Sequence, residues 1–337
     1  MEPDKILDKD TEYMLKKLFV GFIIFVSVFL YNDCVKAYEF KSITENKTNI
    51  SIDISEPYIH ETGRVFMISE AAVFDGISAS VLADIKETPV IVISGKNMSS
   101  EEENTLKKNG IKEVTIIGGT DSISLETEGK LKDMEVEVKR IHGIDRNDTS
   151  MKILDEISSV KEVDEIYCVN PSMSMNKIMH IYLDALKRDI PVIWESRDII
   201  EQVEQKYGKD NITYFGKDRE FSRNINYNKI IHMAEDKNTK KVFAINSNKY
   251  KVEDITTSIS SCVVASKYGY DVMITEGYIT SKDIECIEKS NLEDIITIGF
   301  DYNKQNILNI FWNSGMKNVI ILILLIFIIF FRAIILK

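Results

Sequence analysis

Arg140, Asp145, Arg146 and Thr149 fall in one short stretch, Arg140-Ile141-His142-Gly143-Ile144-Asp145-Arg146-Asn147-Asp148-Thr149. A guanidinium fork grips a phosphate or carboxylate through two parallel hydrogen bonds, so both arginines are candidates for holding an anionic ligand. The same residues admit a structural reading, in which Asp145 and Arg146 pair where one unit joins the next and Thr149 caps a helix. A second candidate is the turn Ile117-Gly118-Gly119-Thr120-Asp121-Ser122. Gly118 and Gly119 permit tight backbone turns, and free amides at the following helix start would cradle an anion. An ordinary turn with Ser124 as N-cap is the alternative. Asp75 and Ser78 lie one turn apart at a helix start, placed for ligand contact or for capping. Lys217, Arg219 and Arg223 form a further basic cluster, readable as an anion contact or as a solvated face.

Other chemistries find little support. His60, His142, His180 and His232 fit no metal-ligand spacing. No dinucleotide fingerprint or phosphate-binding P-loop sequence is present, and no Ser/His/Asp or Cys/His set or carboxylate pair stands out. Between residues 38 and 315 lie 34 basic and 47 acidic residues, a net −13 against −11 for the whole chain. Such a field disfavours nucleic acid and anionic lipid. After residue 37 the chain has three cysteines, Cys168, Cys262 and Cys286, an odd number without a C-x-x-C pair, which argues against a disulfide framework and predicts buried apolar thiols.

The elements that must position these residues alternate between strand and helix. Val65–Ile68, Pro89–Ile93, Val114–Ile117 and Val136–Val138 read as strands, with helices at Asp75–Ile85, from a capping box at Ser99 and Glu102 to Lys108, and at Ser124–Leu131. Apolar residues on both strand faces predict parallel strands buried under helices. The unit recurs from Glu165 and again from Val242. IKETPVIVI, KRDIPVIW and KYGYDVMI are one element in three copies, and VTIIGG, ITYFGK and ITIGF another. The expected divisions are a lead-in at 38–64, a first unit at 65–157, a shortened second at 158–237 and a truncated third at 238–303. A juxtamembrane stretch at 304–318 follows.

Both ends carry targeting signals. Lys16-Lys17, the apolar run Leu18–Leu30 and Val35-Lys36-Ala37 describe a signal peptide over 1–37, with translation possible from Met14; an uncleaved anchor is the alternative. Val319–Leu336 is apolar apart from Arg332 and has the length of a single transmembrane helix, which places the middle of the chain outside the cell.

The first unit resembles the type 2 cell-wall-binding repeat, found in tandem triplets in surface-layer and other surface proteins of low-GC Gram-positive bacteria. The stretches carrying the resemblance are Phe74-Asp75-Gly76-Ile77-Ser78-Ala79-Ser80-Val81-Leu82-Ala83, Thr88-Pro89-Val90-Ile91-Val92, Val114-Thr115-Ile116-Ile117-Gly118-Gly119 and Arg140–Thr149. The later copies depart from the pattern: the second lacks the double glycine and the third breaks off after Gly299. The resemblance implies three tandem Rossmann-like α/β units, mainly parallel, about a pseudo-threefold axis. It also implies a non-enzymatic protein without cofactor that recognises an anionic cell-wall polymer, with a divalent cation as a possible bridge. A membrane-tethered protein–protein interaction scaffold that keeps the fold is the alternative.

Overall fold

The computed structural model describes residues 39–43, 47–216, 228–234, 239–247, 252–290 and 292–300, together with Ile225. The signal-peptide and transmembrane segments and the basic cluster of Lys217, Arg219 and Arg223 lie outside the described residues. Among the described residues, no helix is long and apolar enough to cross a membrane.

Three mainly parallel sheets organise the chain. The first contains β2 (Arg64–Ser69), β3 (Val90–Ile93), β4 (Glu113–Ile117) and β5 (Glu137–Ile141), in the order β3-β2-β4-β5. These strands alternate with α2 (Val73–Ile85), α3 (Ser100–Lys108) and α4 (Leu125–Asp133). After α5 (Arg146–Val160), the second sheet has β6 (Ile166–Val169), β7 (Val192–Trp194) and β8 (Ile212–Phe215), in the order β7-β6-β8. Its helices are α6 (Met175–Lys187) and α7 (Arg197–Tyr207). The third sheet takes β9 (Ile230–Ile231), β10 (Lys241–Asn246), β11 (Asp271–Thr275) and β12 (Asp294–Ile298), with α8 (Val252–Tyr268) and α9 (Ser281–Lys289). Burial on both faces explains the unbroken apolar strands. Val65 and Met67 enter one core with Val114 and Ile116, while Phe66 and Ile68 enter another with Val90 and Val92.

The third sheet is completed from the other end of the chain. Its order is β1-β12-β10-β11-β9, where β1 (Glu39–Ile43) runs parallel to β12 from Glu39 opposite Asp294 to Ile43 opposite Ile298. β1 stands where β5 stands in the first sheet, and the two sequences match, EFKSI against EVKRI. The helix after each strand also plays the same part. In α1 (Lys47–Thr62), Ser51 Oγ accepts from the Val92 amide of β3 at 2.8 Å. In α5, Ser150 Oγ accepts from the equivalent Trp194 amide of β7 at 3.4 Å. The segment read as a lead-in therefore supplies the fourth strand of the last sheet and a helix on the first. The dipeptide-length β9, antiparallel to β11, has no counterpart in the sequence reading.

Helices α2, α6 and α8 pack against one another at the centre. Their hydroxyls cross the junctions: Ser78 donates to the Val192 carbonyl and Ser260 to the Val90 carbonyl, both at 2.8 Å. Trp194 is fully buried, donates its indole N–H to the Phe74 carbonyl at 3.1 Å and packs edge-on to the Phe74 ring. Ser266 of α8 donates to Asp84 at the end of α2 at 2.9 Å. Cys168 and Cys262 are buried free thiols, and Cys286 is half-buried.

The Ser51→Ala variant leaves the Val92 amide without its partner in a dry interface. A loss of about 1–3 kcal/mol of stability is expected, read as a lower denaturation midpoint with an unchanged m-value.

Candidate functional site

In the first sheet the chain leaves β2 toward β3 on one side and returns to β4 on the other. The crevice between the carboxyl ends of β2 and β4 is thus a topological switch point, where open α/β sheets hold ligands. A cleft of about 490 Å³ lies there. Ser69 at the tip of β2, Phe74 and Asp75 in the first turn of α2, and Lys96 after β3 line it, with Ser122 after β4 and Arg146 at the start of α5. Asp121 and Asp145 complete the charged rim.

The local sequence explains how each side chain is held. The guanidinium of Arg146 lies 4.9 Å from the centre of the Phe74 ring, a cation–π contact that fixes its stem beside the cleft. Asp145 caps α5 by accepting from the Asp148 amide at 2.9 Å, and Asp148 accepts from the Ile144 amide. Thr149 is buried, donates to the Asp145 carbonyl and accepts from the Gly143 amide. Gly143 is obligatory here, because a Cβ would come within 2.4 Å of the backbone at Asp148 and Thr149. Lys96 extends to Asp121 at 3.4 Å with half its side chain in water.

Asp75 is the chemically unusual member. Its Oδ1 is buried and accepts no hydrogen bond among the described residues. Its Oδ2 is 3.4 Å from where a Gly118 Cβ would stand, at a φ of +98° that favours glycine. Burial pushes its carboxyl up to about 6, against the pull of the Arg146 guanidinium.

The remaining sequence-selected residues are occupied within the protein. Arg140 donates from Nε and Nη2 to Glu128 Oε2 at 3.0 and 2.9 Å and from Nη1 to the Gly118 carbonyl at 2.9 Å, leaving its side chain 12% exposed. Gly118 donates its amide to the Ile141 carbonyl, and the Gly119 carbonyl accepts from Ser122 and Ile123. Ser124 is the N-cap of α4. Ser78 is wholly buried at the junction with the second sheet. The structure thus gathers Asp75, Asp145 and Arg146 at one cleft and places Arg140, Thr149, Gly118 and Gly119 in its supporting wall. Sequence reading missed Ser69, Lys96 and Phe74 as cleft residues; the available signal was the rule that loops at the carboxyl ends of parallel strands converge. Among the described residues, no group of three His, Cys, Asp or Glu could hold a metal ion.

The tips of the other two sheets are built differently. Ser69 lies opposite Ile93, Asn246 opposite Thr275, and Asn170 directly follows the Val169–Trp194 pair, so the three are equivalent. Asn170 Nδ2 donates to Glu195 Oε2 at 2.6 Å, and Asn246 Nδ2 donates to Asp254 Oδ2 at 3.1 Å. Ser69 instead donates to the Gly95 carbonyl at 3.2 Å.

Repeated, mainly parallel α/β units with a polar cleft at a switch point define the fold class. Residues 43–128 match the family model of cell wall binding domain 2 (CWB2), a cell-wall-binding repeat family. The chain is 29% identical over 140 residues to N-acetylmuramoyl-L-alanine amidase LytC of Bacillus subtilis (strain 168), across 42% of this chain and 27% of that protein. It therefore spans about a quarter of the length of this relative. Two solved structures share the fold, each with a TM-score of 0.58. Cwp6 from Clostridium difficile is 18% identical and covers 81% of this chain and 47% of its own. Cwp8 from Clostridium difficile is 17% identical, over 87% and 54%.

Two buried carboxyls give stability a defined pH dependence. Burial raises Asp84 to about 7 against the Ser266 hydrogen bond, and Asp75 to about 6, both from 3.8. The fold therefore favours their protonated forms. Stability should rise as pH falls from 8 through 7 and 6, and level off toward 4, where the unfolded carboxyls also protonate. Thermal unfolding across pH 5–8 checks the sign, and Asp84→Asn should flatten the upper part of the profile and raise Tm at pH 8.

Proposed function

We propose that this chain binds a cell-envelope polymer through its three α/β units, packed about a pseudo-threefold axis, and uses the cleft of the first sheet as a contact point. The observation that carries this reading is a coincidence of place. The cell-wall-binding match over 43–128 covers three of the four strands of the sheet whose switch point presents a polar cleft with Asp75 and Lys96. The apolar run Val319–Leu336 would tether the module to the membrane with its units facing the wall. In this reading LytC shares a recognition module with the chain, and the amidase activity in that relative's name is not carried over.

The test is sedimentation of the full-length chain, in zwitterionic detergent micelles, with isolated cell walls before and after removal of secondary wall polymers. Co-sedimentation that disappears with the polymers is expected. Protein that stays in the supernatant with intact walls overturns the reading and favours the scaffold role. The Arg146→Ala variant should weaken co-sedimentation about tenfold without lowering Tm by more than a few degrees, since Arg146 lies on the protein's surface and caps nothing.

A further inference from the structure

The three units fill one place in their packing in three different ways. Thr88, Ile190 and Tyr270 are equivalent: each precedes β3, β7 or β11 and donates its amide to an alanine carbonyl, that of Ala83, Ala185 or Ala265. Phe66, Tyr167 and Phe243 are equivalent too, since they stand opposite Val90, Val192 and Val272. In the third unit the Tyr270 ring packs edge-on to Phe243 at 5.5 Å, and Lys241 Nζ lies 4.7 Å from its centre. In the second, Ile190 stands in this place, and Arg188 bridges the Tyr167 hydroxyl and Glu165. In the first, Thr88 turns its hydroxyl back to the Lys86 carbonyl at 3.0 Å. A groove of about 350 Å³ remains there, lined by Phe66, Thr88 and Thr115 and flanked by Arg64, Lys86 and Lys139.

The charges around this groove define its occupant. Lys86 is paired with Glu156 and Lys139 with Glu113, both at 3.0 Å. Arg64 lies two residues before Phe66, as Lys241 lies two before Phe243. It has no carboxylate partner among the described residues and donates to the Lys86 carbonyl at 3.3 Å. A guanidinium in that position can stack on an aromatic face and pair with a carboxylate beside it. The chain itself displays this combination. Tyr278, after β11, is the one large aromatic side chain exposed among the described residues, at 42%, and its hydroxyl reaches the exposed Glu276 at 3.4 Å. We propose that a second copy of this chain places its Tyr278 in the first-unit groove, with the ring between Phe66 and Arg64 and Glu276 paired to Arg64. The ring follows the carboxyl end of β11, whereas the groove opens at the amino ends of β2 and β3. The contact is therefore head-to-tail and can repeat from molecule to molecule. One ring in a groove makes a small interface and a weak one. Wall binding is not needed for it.

Sedimentation equilibrium of the full-length chain at high concentration, in density-matched zwitterionic detergent, measures the association. The parent chain should form dimers and larger species that grow with concentration. Tyr278→Ala, a surface change, removes the ring. Thr88→Tyr fills the groove with the residue that the third unit carries there and should raise Tm. Arg64→Glu, at an exposed position, blocks the groove by repelling Glu276 and serves as a second groove variant. Each change should lower the association constant at least tenfold. Mixing the variants is the decisive measurement. Tyr278→Ala keeps its groove, and Thr88→Tyr and Arg64→Glu keep their ring, so either mixture should recover association and stop at one-to-one dimers. A monomeric parent, association unchanged in the single variants, or mixtures that stay apart overturn the proposal.

Discussion

The structure depends on the packing of three helices, α2, α6 and α8, against one another and against the strands of neighbouring sheets. No sheet is self-sufficient. Each buries both faces, and part of the covering comes from a helix that belongs to another unit, as α5 does for β7 and α1 for β3. The buried hydroxyls of Ser51, Ser78, Ser150 and Ser260 satisfy backbone groups at these junctions. A parallel strand with an unpaired amide or carbonyl in a dry interface would be costly, so these contacts fix the relative placement of the sheets as well as contributing stability.

That placement decides what is available for function. α5 begins at the cleft of the first sheet and ends over the second, so Arg146 at its start is held by the same element that joins two units. The tight turn at Gly143, with Thr149 folded back beneath it, sets where α5 starts. The most family-like sequence of the chain thus acts mainly as scaffolding: Arg140 is locked to Glu128, and Thr149 to the backbone. Only Arg146 and the rim carboxylate Asp145 reach the cleft.

Much of this was legible in the residues. The threefold recurrence of the PVIVI-like element gave β3, β7 and β11, the strand beside the first strand of each unit, and apolar residues at consecutive strand positions gave parallel pairing. The capping box at Ser99 is present as its spacing required. What escaped was non-local. The pairing of β1 with β12 joins positions such as Ser42 and Thr297, 255 residues apart, and only the likeness of EFKSI to EVKRI hinted at it. The cleft escaped for the same reason, since Ser69, Asp75, Lys96, Ser122 and Arg146 come from five separate segments. The difference between Ser69 and the two asparagines is invisible until register makes the three positions equivalent.

The early strand in the last sheet also imposes a timetable. β1 is among the first described residues to be synthesised, yet its partner β12 is among the last. A strand waiting for so distant a partner stays unpaired while the sheets between them form, the situation in which non-local topology slows folding and leaves edges exposed. The third sheet is complete only when β12 has been made. A chain cut short before residue 294 therefore leaves β1 without the strand it pairs with.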